Sequence, residues 1–281
     1  MVRASGPARP DDGEFMIRVG VLGAAGRMGR TVCSAVAAAG DMQLVAAADP
    51  AAAGATVAEL IGEKTAGHSA SVTVAASPDD FVEAGVEVAV DFTVLASARQ
   101  NLPRLAAAGI HAVVGTSGFT EDDLARLAGL FDRSNCIIAP NFAISAVLMM
   151  RFAELAAPLF DSAEVIELHH DAKLDAPSAT AMTTADRMAA ASGEWNPDPT
   201  RTEVLAGARG GLGPAGIRVH SIRLAGLVAH QEVILGAQGQ TLTLRADSYD
   251  RSSFMPGTLL AIRAVANRPG LTTGLEPLLG L

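Results

Sequence analysis

Apolar residues form short unbroken runs through the first half of the chain and alternate with polar ones through the second, so two kinds of sheet are expected. Met16 to Leu22, Met42 to Ala48, Ser71 to Ala75, Val86 to Thr93, Ile110 to Gly115 and Cys136 to Ala139 are runs of strand length, with helical patterns between them. Strands alternating with helices predict a doubly wound parallel sheet, whose ligands bind beyond the carboxyl ends of the strands. A long apolar helix, Ile144 to Phe160, breaks that order. Beyond it Glu164 to His169, Ile217 to Leu224, Val228 to Leu235 and Thr241 to Ser248 have strand alternation and predict a four-stranded mixed or antiparallel sheet. A Gly/Pro-rich segment, residues 207–216, lies among them, and Phe254 to Asn267 carries apolar residues at helical spacing.

The first strand runs straight into Gly23-Ala24-Ala25-Gly26-Arg27-Met28-Gly29 and then a helix ending near Gly40. Glycines so spaced let the chain turn tightly, let backbone N–H groups approach a pyrophosphate, and let the helix pack on the strand. Such a pattern is often only a turn; a strand before it and a helix after it make it a dinucleotide fingerprint. Asp49 ends the next strand about 20 residues on, where that motif places the acid that accepts from the adenosine ribose hydroxyls. No basic residue follows Asp49 to receive a 2′-phosphate, leaving Arg27 and Arg30 as substitutes. NADH is therefore expected to bind at least as well as NADPH. Three further strand ends open into Asp91-Phe92-Thr93, Gly115-Thr116-Ser117-Gly118 and Ala139-Pro140-Asn141-Phe142. Singly each is ordinary turn chemistry, but their recurrence at successive strand ends points to a binding edge. The expected fold class is α/β: a Rossmann-type doubly wound parallel sheet with a second α+β domain built on a mixed four-stranded sheet. Residues 16–143 and 250–281 would form the dinucleotide-binding domain and residues 144–249 the substrate-binding and oligomerisation domain.

The densest acid–base chemistry lies in Glu164-Val165-Ile166-Glu167-Leu168-His169-His170-Asp171-Ala172-Lys173-Leu174-Asp175-Ala176-Pro177-Ser178-Ala179-Thr180-Ala181. A strand to His169, a loop from Lys173 to Pro177 and a helix capped by Ser178 are expected. The free N–H groups at such a helix start form an anion site, with the Ser178 and Thr180 hydroxyls beside it. Adjacent His169 and His170 point to opposite faces of a strand and cannot easily share a metal, and no zinc-type spacing occurs nearby. A lone histidine is commonly a buried structural residue and a lone lysine a solvated charge; here both stand beside an anion site.

This run resembles the signature of the 4-hydroxy-tetrahydrodipicolinate reductase family, Glu-x-x-Glu-x-His-His-x-x-Lys-x-Asp-x-Pro-Ser-Gly-Thr-Ala. Ala139-Pro140-Asn141-Phe142 also matches, and Gly115-Thr116-Ser117-Gly118 stands where the family usually has Gly-Thr-Thr-Gly. The resemblance implies NADH- or NADPH-dependent reduction of 4-hydroxy-tetrahydrodipicolinate to tetrahydrodipicolinate, with loss of water, in diaminopimelate and lysine biosynthesis. It implies that Phe92, Thr93, Gly115, Thr116, Ser117 and Ala139 to Phe142 lie on the nicotinamide side. It further implies that the second sheet is the interface of a homotetramer and that the final helix returns to the first domain. Reducing a conjugated cyclic imine requires a proton donor, for which His169 is the candidate, and a group holding the imine side, for which Lys173 is the candidate. His170 would position the substrate, and Ser178, Ala179 and Thr180 would hold one carboxylate. Ala179 and Ser145 stand where the family has, or often has, glycine. With positive φ, alanine at 179 would cost about 1 kcal/mol and weaken substrate binding. A relative acting on another cyclic imine dicarboxylate is the second reading. A nucleotide-sensing protein would have no reason to keep His169, His170 and Lys173 together.

The remaining composition narrows the class. A net charge of −9 over 281 residues, with no basic run, argues against a nucleic-acid partner. Two cysteines, Cys33 and Cys136, argue against a disulfide framework and favour a reducing compartment. Residues 1–15 lack the apolar centre of a signal peptide and are expected to be a disordered extension. The apolar stretch 137–150 is interrupted by Pro140 and Asn141 and is too short to span a bilayer. A soluble cytoplasmic protein is expected.

Overall fold

The computed structural model describes residues 16–281, so the extension expected at 1–15 lies outside the described residues. The first half alternates β1 (Ile17–Leu22), α1 (Arg27–Ala38), β2 (Met42–Ala48), α2 (Val57–Ile61), α3 (Glu63–Ala66), β3 (Val74–Ala75), β4 (Val88–Asp91), α4 (Leu95–Ala108), β5 (His111–Val114), α5 (Glu121–Leu130) and β6 (Cys136–Ile138). Then follow α6 (Ile144–Ala156), β7 (Ser162–His169), α7 (Ala179–Ala191), β8 (Gly211–Leu212), β9 (Arg218–Arg223), β10 (Ala229–Ala237), β11 (Gln240–Ser248), α8 (Met255–Val265), β12 (Leu271–Thr273) and α9 (Glu276–Leu279).

Seven strands form a parallel sheet in the order β12-β6-β5-β4-β1-β2-β3. With helices covering both faces, its central strands need no polar side. All four residues of β4 are buried, as are the last four of β1. The strand order reverses at β1, between β2 and β4, so the crevice beyond Leu22 and Asp91 is the topological switch point. Cys33 and Cys136 are completely buried in this layer. Burial pushes the Cys33 thiol up to about 12, and Cys136 is raised by burial as well.

The second sheet has five strands, not the expected four, in the order β11-β10-β7-β9-β8. Its extra member, β8, is two residues inside the Gly/Pro-rich segment, too short to show alternation. β7 and β9 are parallel and the other neighbours antiparallel. Val165, Val233 and Leu235 are fully buried beneath α6 and α7. Ile166, Leu168 and Ile234 alternate with them and belong to neither apolar core, so the second face carries no helix.

The long helix expected to reach Phe160 stops at Ala156 and tightens into a 3₁₀ turn over Ala157–Leu159. Pro158 has no N–H to continue the α-helical ladder. The chain end returns to the first sheet, where β12 pairs with β6 and α8 runs below the Ala139–Phe142 loop. A Cβ on Gly257 would stand 2.2 Å from the Phe142 carbonyl oxygen, so only glycine lets α8 approach that loop. No helix among the described residues is long and apolar enough to cross a membrane.

Candidate active site

The β1–α1 turn has the geometry expected of a pyrophosphate cradle. Gly23 has φ +75° and donates its N–H to Ala48 O at 2.8 Å, while a Cβ on Gly29 would meet Gly23 O at 1.9 Å. Only glycine at 29 lets α1 begin against the turn. Gly26 caps α1 without a side-chain bond, and no acidic residue occupies its first turn, so the leading N–H groups are left for an anion. Ala24 is fully buried and Met28 packs on the core, so these residues can offer a ligand only their backbone. Asp49 accepts from Ala25 N at 3.0 Å and Ala51 N at 2.9 Å, which anchors the turn and leaves carboxylate lone pairs over. Arg30 is engaged with Ala25 O and Leu60 O, whereas Arg27 is exposed. A cavity of about 510 Å³, lined by Gly23, Gly26, Asp49, Thr93, Ser97 and Asn101, continues from this turn. These residues fit a dinucleotide.

Asp91 ties two of the three strand-end loops together, and Phe92 joins the third. Fully buried, its carboxylate accepts from Thr93 N at 2.9 Å, Thr93 Oγ1 at 2.7 Å, Thr116 Oγ1 at 3.0 Å and Asn101 Nδ2 at 3.3 Å. Phe92 packs on Phe142 with ring centroids 5.6 Å apart, and a Cβ on Gly115 would lie 2.0 Å from the Phe92 ring. Asn141 Oδ1 accepts from Ala143 N at 2.8 Å, turning the chain into α6. Ala139 is buried, while Pro140 and Ser117 are exposed at the rim.

The central stretch folds as a strand, a loop and a capped helix. Ser178 is the N-cap of α7, its Oγ accepting from Ala181 N at 3.2 Å. Ala179 opens the helix, and Ala215 is the non-glycine residue with positive φ among those described, so the backbone strain expected at Ala179 is absent. Lys173 Nζ donates to both oxygens of Asp175 at 2.7 Å, and this bond holds the Asp175 carboxyl below its usual range. His170 is exposed just past β7.

Below these groups lies Glu167, 0% exposed on β7 and unassigned by sequence reasoning. Arg223 donates to it twice, at 2.8 and 2.7 Å; the Ser178 N–H donates at 3.2 Å and His169 Nδ1 bonds its other oxygen. Burial pushes the Glu167 carboxyl up, but hydrogen bonds led by Arg223 outweigh it and hold the group below its usual range. Burial pushes His169 down, Lys173 and Arg223 add to that, and Glu167 opposes it, with a net lowering. The period-two rule could have found Glu167, since residues i and i+2 of a strand share a face.

A cleft of about 800 Å³ joins the two sets of groups, lined by Thr116, Ser117 and Asn141 on one side and Ala179, Thr180 and Thr183 on the other. His169, His170, Lys173 and Ser178 stand outside this lining. The helix start that could hold a carboxylate thus faces the strand-end loops across open space. Among the described residues no three His, Cys, Asp or Glu side chains gather where they could hold a metal ion.

Two family models match almost the whole described chain: "Dihydrodipicolinate reductase, N-terminus" over residues 17–142 and "Dihydrodipicolinate reductase, C-terminus" over residues 145–279. The chain belongs to the dihydrodipicolinate reductase family. It is therefore an oxidoreductase by family. Similar proteins include the 4-hydroxy-tetrahydrodipicolinate reductases of Corynebacterium aurimucosum and Nocardia farcinica, each 51% identical across 94% of this chain and 99% of the relative. The solved dipicolinate-bound dihydrodipicolinate reductase from Paenisporosarcina sp. TG-14 superposes with a TM-score of 0.81 at 39% identity, covering 93% of this chain and 99% of that one. The agreement spans both sheets, so the dihydrodipicolinate reductase fold is retained whole.

Proposed function

We propose that this dihydrodipicolinate reductase family member uses a nicotinamide cofactor to reduce 4-hydroxy-tetrahydrodipicolinate to tetrahydrodipicolinate, with loss of water, in diaminopimelate and lysine biosynthesis. The observation that carries this reading is the α7 start, which faces the strand-end loops across one cleft and is joined to His169 through Glu167. The bound cofactor supplies a hydride to the substrate ring. The chain's residues do the rest: Ser178, Ala179 and Thr180 hold one carboxylate at the helix start, and His170 helps position the ring. Lys173 exchanges Asp175 for the substrate, and His169 delivers a proton to the carbon next to the one receiving hydride. His169 is lowered in the free protein, so the entering dianion, by raising its pKa, is what makes it a proton donor.

The unstrained backbone at Ala179 removes one of the two departures that favoured another imine dicarboxylate; the other, Ser145, is an exposed residue in the first turn of α6. Asp49, with Arg30 engaged elsewhere, supports NADH binding at least as well as NADPH. Residues 16–143 with 250–281 serve as the cofactor domain and 144–249 as the substrate domain, supported by β12 joining the first sheet. The helix-free face of the second sheet supports a homotetramer, and a biosynthetic role with reduced cysteines supports a cytoplasmic setting. The deciding experiment supplies purified protein with freshly generated 4-hydroxy-tetrahydrodipicolinate and each nicotinamide cofactor, following cofactor oxidation. Turnover is expected with both; no oxidation with either would overturn the proposal.

A further inference from the structure

We propose that Glu167 is the positioning residue of this site, its buried carboxylate setting the tautomer of His169 and the placement of the α7 anion site together. This deepens the reductase reading above and rests on it for its kinetic arm. An ionised carboxylate only accepts, so the His169 nitrogen bonded to it, Nδ1, carries a proton. In the neutral ring that leaves Nε2, which has no hydrogen-bond partner among the described residues, as the nitrogen that takes up and delivers the transferable proton. The other Glu167 oxygen accepts from the Ser178 N–H, so one buried group sets both the acid and the cap of the carboxylate-binding helix. Arg223, itself one-fifth exposed, makes the Glu167 carboxylate stable in its buried position by donating to both oxygens.

The charged groups acting on His169 are Glu167 on β7, Arg223 on β9 and Lys173 on the following loop, the last paired with Asp175. They predict effects of opposite sign. Glu167→Gln removes the negative partner that favours protonated His169, while Arg223→Gln removes a positive one that disfavours it. The kinetic limb on which activity falls with rising pH should therefore move to lower pH in Glu167→Gln and to higher pH in Arg223→Gln. General disruption of the fold would move both the same way or neither.

The test has two arms. In ¹⁵N-histidine-labelled protein, with the His169 signals assigned by their loss in His169→Ala, neutral His169 should be the Nδ1–H tautomer. In Glu167→Gln it should shift towards Nε2–H. In steady-state kinetics, kcat of Glu167→Gln should fall about tenfold or more with cofactor Kd unchanged, and Glu167→Asp should recover part of the loss. An Nε2–H tautomer in the unmodified protein, or limbs that shift in the same direction, would overturn the proposal. Should Glu167→Gln not fold, Glu167→Asp, which draws the carboxylate back from His169, should move the limb to lower pH by less, and Arg223→Gln still supplies the opposite shift. The tautomer arm needs no substrate, so failure of the reductase assay alone leaves it decisive.

Discussion

In the proposed reaction Lys173 would meet an incoming dicarboxylate with its ammonium already on Asp175, a pair whose acidic partner is 68% exposed. Pairs so open to solvent contribute little, so a better-placed substrate carboxylate can displace Asp175 cheaply. Asp175→Asn should leave kcat near normal and lower KM by at most about a few-fold. Lys173→Ala should lower kcat by about 10²-fold, the scale of a positioned electrostatic group. Steady-state kinetics of the two variants side by side check both; a higher KM for Asp175→Asn would mean that Asp175 aligns Lys173 and does not compete for it. Ala179→Gly, by contrast, should change KM by less than about twofold, because a residue in helical conformation has no strain to relieve. Sequence patterns made His169, Lys173 and Ser178 legible because chemistry and chain direction coincide at a strand end and a helix start. Glu167 and Asp91 were not legible as site residues. Each is an acid at a strand end whose importance comes from distant partners: Arg223 is 56 positions from Glu167, and Thr116 is 25 from Asp91.

At the level of elements, β8 and β12 were not legible, because Gly211-Leu212 is exposed and Leu271-Thr272-Thr273 is half-buried to exposed, so neither is an apolar run. β1 to β6 were legible because both faces of the sheet are covered and their runs are apolar. The loops those strands carry depend on glycines packed from the side. A Cβ on Gly115 would enter the space of the Phe92 ring, and that ring rests on Phe142, so one methyl would push two of the three strand-end loops apart. Gly115→Ala should weaken cofactor binding by about tenfold and destabilise the fold by about 1–3 kcal/mol, the usual cost of overpacking. Fluorescence titration with NADH and thermal unfolding measure the two effects. Unchanged affinity would mean that the loop after β5 does not contact the cofactor. The same close packing shields both cysteines, so a thiol reagent should label neither Cys33 nor Cys136 until the protein unfolds.

For the whole molecule, β7 joins the candidate catalytic cluster to the helix-free sheet face. Val165, Glu167 and His169 point towards the helices and the site, while Glu164, Ile166 and Leu168 point the other way. Ile166 and Leu168 are flanked on that face by Ile222 and Ile234, and by Glu232 paired to Arg245 and His230 paired to Asp247. A sheet face that mixes aliphatic residues with satisfied ion pairs suits a subunit interface with an apolar centre and a polar rim. If four copies bury this face, Ile234→Lys on β10 would place a charge within it while touching no residue assigned to substrate or cofactor. Light scattering should show a tetramer for the unmodified chain and smaller species for Ile234→Lys. Because β10 is hydrogen-bonded along β7, the register of the strand that holds Glu167 and His169 depends on its support, so kcat should fall with assembly while cofactor affinity holds. A monomer in the unmodified protein at micromolar concentration would show that the face is simply solvated. A variant that dissociates yet keeps full kcat would show that β7 is rigid enough alone and that assembly serves something other than the site.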